Sequence, residues 1–67
     1  MKEFGERLKF LRIEANLTKK KLSEKIGFSD VAIGRWERNE RVPNIHELIV
    51  VAKYFKVSTD YLCGLED

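Results

Sequence analysis

Between Thr18 and Arg38 the chain has room for two short helices and almost nothing between them. Thr18 carries a hydroxyl that can accept from a free helical amide, so it caps a helix in which Leu22 and Ile26 share a face. Gly27 stands where a helix closes through a left-handed residue, a conformation glycine adopts without steric penalty. Ser29 follows almost at once and caps again. Two such helices must meet at a tight turn. The second places Ile33 and Trp36 on one side and Asp30, Val31, Gly34, Arg35 and Arg38 elsewhere around its cylinder.

The flanking segments are helical as well. Phe4, Leu8, Leu11 and Ala15 recur at helical spacing, and Asn16 ends that run. Asn39 tolerates a left-handed backbone and Pro43 cannot continue a helix, so residues 39–43 form a basic loop. Asn44 and Glu47 have the spacing of a capping box, after which Leu48, Val51, Ala52 and Phe55 trace one face. Lys53 and Lys56 suit the end of that helix, and Ser58 caps a last short one that stops at Gly64. The expected helices are 2–15, 19–26, 30–38, 45–55 and 59–63, with no strand pattern. The expected core is Phe4, Leu8, Leu11, Leu17, Leu22, Ile26, Ile33, Trp36, Leu48, Val51, Ala52, Phe55, Val57 and Leu62.

Composition excludes several classes of function. With 67 residues the chain is one domain, 1–67, that buries only about 60% of the surface its unfolded form exposes. The longest apolar run, Leu48 to Ala52, is five residues against the roughly 20 of a membrane span, so no membrane association is expected. The charged N-terminus has no apolar segment behind it, which points to a cytoplasmic protein. Cys63 is the single cysteine and reads as a small apolar residue of the last helix; His46 is the single histidine and reads as solvated. Neither builds a metal site, and no glycine-rich phosphate loop or convergent set of titratable groups is present, so neither an enzyme nor a cofactor is expected. The net charge of +2 is unevenly spread. Residues 18–41 hold seven basic side chains against four acidic ones, and the remainder is slightly acidic.

The segments Gly5 to Arg12, Leu17 to Ser29, Trp36-Glu37-Arg38-Asn39, Val42-Pro43, Leu48 to Val57 and Asp60-Tyr61-Leu62, in this order and spacing, resemble the Cro and phage-repressor type of helix-turn-helix, also called the Xre family. The resemblance spans nearly the whole chain. It implies an all-α, five-helix, lambda-repressor-like domain with the helix-turn-helix at its second and third helices. It also implies a sequence-specific transcriptional regulator, a repressor that reads a pseudo-palindromic operator in double-stranded DNA through the major groove.

In such domains the third helix enters the groove with its early residues toward the base edges. Asp30, Val31, Gly34 and Arg35 are the base-reading set on this reading. Arg35 can pair in bidentate fashion with guanine O6 and N7, worth about 1–3 kcal/mol of discrimination, or else contact a phosphate. Asp30 either accepts from a cytosine amino group or stabilises its own helix N-terminus. Val31 either meets a thymine methyl or is an exposed aliphatic, and Gly34 leaves bare backbone toward the groove. Thr18, Lys19, Ser29, Arg38 and Arg41 form the phosphate-contacting set. Lys19 stands where relatives often carry glutamine, which favours a phosphate contact there, whereas Lys20 and Lys21 point in other directions. Arg12 and Glu37 match a partly buried structural ion pair between the first and third helices.

A domain of this type covers one half-site, so a homodimer is expected, with Val50, Val57, Tyr61 and Leu65 as its interface. The same residues could pack within the monomer or against a C-terminal domain missing from this chain. The alternative function is an antitoxin-like module of the same fold whose main partner is another protein.

Overall fold

A computed structural model describes residues 2–67, among which the chain forms five helices and no strand: α1 (Lys2–Glu14), α2 (Lys19–Ile26), α3 (Asp30–Glu37), α4 (Ile45–Phe55) and α5 (Thr59–Leu62). α1, α3 and α5 each stop one residue before the expected end. Arg38 and Cys63 serve instead as C-caps of α3 and α5.

The helix starts follow from side-chain chemistry. Thr18 accepts from the Lys21 amide, Ser29 from the Ala32 amide and Ser58 from the Tyr61 amide, at 3.0, 3.1 and 2.9 Å. Asn44 and Glu47 close a reciprocal capping box at 2.8 Å in both directions. The helix ends share one device. Asn16, Asn39, Lys56 and Gly64 take positive φ, and the next amide reaches back to the carbonyl five residues earlier: Leu17 to Arg12, Glu40 to Arg35, Val57 to Ala52 and Leu65 to Asp60. α2 ends instead on the left-handed Gly27, whose amide bonds Ser23 O.

α1 packs on α3 and α5, α2 on α3 and α4, and α4 on α5. Phe4, Leu8, Leu22, Ile26, Ala32, Ile33, Trp36, Val51, Ala52 and Leu62 are buried between them, with Leu11, Leu17, Phe28, Leu48, Val50, Phe55, Val57 and Tyr61 half-buried around the edge. Of the expected core, Leu11, Leu17, Leu48, Phe55 and Val57 therefore line the rim rather than the centre, because the helices are too short to enclose a second layer. Trp36 is the hub. Phe4 and Phe28 meet it edge-on at 5.9 and 5.8 Å, and its indole N–H finds no acceptor among the described residues, so packing alone holds the ring. Full burial of each large apolar side chain contributes about 1.5–3 kcal/mol.

One close approach sets the spacing of the bundle. A β-carbon on Gly5 would lie 2.4 Å from Trp36 O and 2.7 Å from Asn39 Oδ1, so α1 can rest on the end of α3 only through a glycine. The obstruction is mainly backbone and cannot rotate away. Gly5→Ala should therefore lower stability by about 1–3 kcal/mol despite alanine's better helix propensity. At about 4–8 °C per kcal/mol, thermal denaturation followed by circular dichroism should show a clear drop in Tm.

Candidate nucleic-acid interface

α3 is held from behind at three points, Ile33, Trp36 and Glu37. Ile33 and Trp36 are fully buried, Ala32 is nearly so, and the Arg12 guanidinium clamps Glu37 from α1. That clamp is bidentate, with Nε donating to Oε2 at 2.7 Å and Nη2 to Oε1 at 3.0 Å. The third nitrogen, Nη1, donates to Leu17 O at 2.9 Å, so one side chain ties α1, the α1–α2 turn and the end of α3 together. The hydrogen bonds to Glu37 raise the Arg12 pKa, outweighing the desolvation that lowers it. Both side chains are largely withdrawn from solvent.

The opposite face of α3 is open. Asp30, Val31 and Arg35 are exposed, with Val31 58% accessible, and Arg35 makes no ion pair among the described residues. An eight-residue helix is about 12 Å long, the width of a B-DNA major groove. Thr18 and Ser29 lie at the starts of α2 and α3, where backbone amides and the helix dipole present positive potential. Capping occupies a lone pair of each hydroxyl oxygen and leaves its O–H free to donate. Lys19 follows Thr18 and is half-buried, while Lys20 and Lys21 are exposed. Asp30 opens α3, where its charge complements the helix dipole.

Gly34 departs from its expected role. It is buried rather than bare toward the groove, and the atoms over it belong to the Arg38 guanidinium, whose Nη1 would lie 3.0 Å from a β-carbon there. Arg38 in turn donates to Glu40 through Nε at 3.0 Å and Nη2 at 3.2 Å. Sequence spacing gives no sign of this pair, since residues two apart on a helix face different ways. It forms because left-handed Asn39 reverses the chain between them. Arg41 is also engaged, with Nη2 3.2 Å from the buried Glu47 carboxylate.

Three of the four residues expected at a dimer interface pack largely within the monomer. Val50, Val57 and Tyr61 are half-buried against the core, and Leu65 alone is fully exposed. The Arg7 guanidinium lies 4.5 Å from the Tyr61 ring centroid and donates to the carbonyls of Tyr61 and Glu66, folding the C-terminal segment onto α1. His46 is exposed, edge-on to Phe28. Among the described residues no group of three or more His, Cys, Asp or Glu is placed to hold a metal ion, and no helix is long and apolar enough to cross a membrane.

Five short helices with a three-point anchor behind α3 and a tight α2–α3 turn define the lambda-repressor-like fold. The helix-turn-helix family model matches residues 8–62, and the chain belongs to the helix-turn-helix family. It is similar to the HTH-type transcriptional activator BcrR of Enterococcus faecalis, at 38% identity over 97% of this chain and 32% of that protein. It is also similar to repressor protein C2 of Salmonella phage P22, at 38% identity over 87% of this chain and 27% of that protein. The crystal structure of the P22 c2 repressor in complex with a synthetic operator superposes with a TM-score of 0.83 at 37% identity, covering 88% of this chain and 89% of that one. The chain thus spans about a third of the length of the first relative and about a quarter of the second.

The Arg12–Glu37 clamp predicts a particular pattern of stability. Arg12→Met or Glu37→Leu leaves the other charge buried without a partner and should remove about 3 kcal/mol or more, most of what a domain this small has. The double variant should recover a large part of that loss, since two apolar side chains leave no stranded charge. Urea denaturation of the two single variants and the double variant measures both quantities.

Proposed function

We propose that this chain is the DNA-reading domain of a transcriptional regulator, a repressor that occupies a pseudo-palindromic operator as a homodimer in the cytoplasm. The observation that carries the reading is α3 itself, fixed through Ile33, Trp36 and the Arg12–Glu37 clamp while Asp30, Val31 and Arg35 stand exposed on the opposite side. A helix that is rigid behind and free in front can enter a major groove without rearranging. Arg35 is the principal base reader, pairing with a guanine edge. Thr18, Lys19 and Ser29 contact the phosphates on either side of the groove and set the register. Arg41 adds a phosphate contact through its remaining nitrogens while Nη2 stays on Glu47. Val31 supplies an apolar contact to a thymine methyl, and Asp30 serves chiefly the helix N-terminus.

The relatives named above are an activator and a repressor, which supports DNA as the partner. Repression needs only that the bound domain block access to the operator. The homodimer follows from half-site geometry, with Leu65 and the exposed rim of Val50, Val57 and Tyr61 as the contact surface.

The test is competitive binding of the purified chain to a duplex selected from a randomised library, against an unrelated duplex, as a function of salt. The selected duplex should win by about 10³-fold or more, with log K falling linearly in log salt concentration. Arg35→Ala should weaken the selected duplex by about 5- to 150-fold and leave the unrelated one nearly unchanged. Lys19→Ala should weaken both alike and reduce the salt slope by about one. Equal and feeble binding of both duplexes at every salt concentration would overturn the reading.

A further inference from the structure

We infer that Arg38 is a second base-reading side chain, seated by Gly34 and oriented by Glu40, rather than a phosphate contact. The inference rests on the DNA-reading function proposed above and assigns part of its specificity.

Position 34 lies in the middle of the open face of α3, flanked by positions 30, 31 and 35. Gly34 puts no side chain there, and the Arg38 guanidinium fills the place, one turn back along its own helix. Nη1, Cζ and Nη2 lie 3.0, 3.7 and 3.8 Å from where a β-carbon on residue 34 would be. The cationic head of Arg38 therefore occupies the centre of the groove-facing surface, although its α-carbon stands at the end of the helix.

The edge of the guanidinium that is left free matters most. Arg38 gives Nε and one N–H of Nη2 to the two oxygens of Glu40. Nη1 donates to nothing among the described residues, so the edge formed by Nη1 and the remaining N–H of Nη2 is unspent. Two parallel donors on one rigid plane match guanine O6 and N7. A carboxylate that takes the inner edge holds that plane in one orientation, as outer partners hold a working side chain elsewhere. Glu40 and Arg38 reinforce one another: the hydrogen bonds lower the carboxyl pKa and raise that of the guanidinium, and the nearby Arg35 charge lowers the carboxyl further. A phosphate contact fits less well, because the Glu40 charge offsets that of the guanidinium and repels a phosphate approaching the free edge. Glu40 is a positioning residue on this reading.

Three variants test it, each compared with the parent chain on a selected duplex and on a panel in which every base pair of the half-site is changed in turn. Arg38→Ala should abolish preference at one G·C pair, a loss of about 5- to 150-fold there, and leave preferences at the other positions in place. Glu40→Gln keeps the shape of the side chain and removes its charge. It should narrow the preference at that same pair several-fold while binding unrelated duplex more tightly. Gly34→Ala puts a β-carbon 3.0 Å from Arg38 Nη1, with only Arg38 atoms as its nearest neighbours, so the guanidinium must shift by a few tenths of an ångström. It should narrow the preference at the same pair with a Tm no lower than the parent's, which separates lost specificity from lost folding. An Arg38→Ala variant that weakens every duplex by one factor and lowers the salt slope overturns the assignment in favour of a phosphate contact. So does a Glu40→Gln profile identical to the parent's. A parent chain that discriminates through Arg35 while all three variants keep its profile defeats this inference alone, whereas a parent that binds all duplexes equally defeats the DNA-reading function with it.

Discussion

An eight-residue helix has little stability of its own, and α3 exists as a rigid element because α1 holds it. The hold has two parts that depend on each other. Gly5 lets the α1 backbone approach the carbonyl of Trp36 more closely than any side chain permits, and that proximity brings Arg12 within bidentate reach of Glu37. The ion pair compensates two charges that would otherwise be stranded, and its third nitrogen fixes the start of the turn into α2 at Leu17. The orientation of the two turn-linked helices is thereby referred to α1. α4 and α5 complete the enclosure, adding Val51, Ala52 and Leu62 to the core.

Because the anchoring lies behind α3, its front is free of structural duty, and charge can be arranged there for a ligand. Four cationic side chains lie on or near that front, and they are not equivalent. Arg35 is unpaired among the described residues, and Lys19 sits beside a capped helix start. Arg38 and Arg41 each share a carboxylate, with Glu40 and Glu47. The exposed Arg38–Glu40 pair adds little stability, so its consequence is orientation and local charge more than folding. Arg12 belongs to neither group, since its charge is spent inside the protein.

Much of this was legible along the chain. The N-caps at Thr18, Ser29, Asn44 and Ser58 are local chemistry, in which a short polar side chain meets amides two or three residues on, and they delimited the helices to within a residue. Gly27 and Asn39 announced their left-handed turns, and Asn16 and Gly64 the ends of their helices, because their side chains, or the lack of one, permit positive φ. Lys56 did not, since lysine has no intrinsic preference for positive φ and takes it here because the chain must reverse after α4. The resemblance to phage repressors carried the Arg12–Glu37 pair, which no local spacing would reveal.

Periodicity separated the buried from the open face of α3, since both follow from residue order on a single cylinder. What lies on that open face was decided elsewhere. Residue order does not show that the Arg38 guanidinium covers Gly34, that Glu40 pairs with Arg38, or that Arg7 lies on the Tyr61 ring. Each involves side chains brought together by a chain reversal or by packing of separate helices, at separations for which sequence has no rule. Capping, turn chemistry and amphipathic period act over one or two turns and are therefore written in the order of residues. The partners of long charged side chains depend on where distant backbone ends up, and only the tertiary structure determines them.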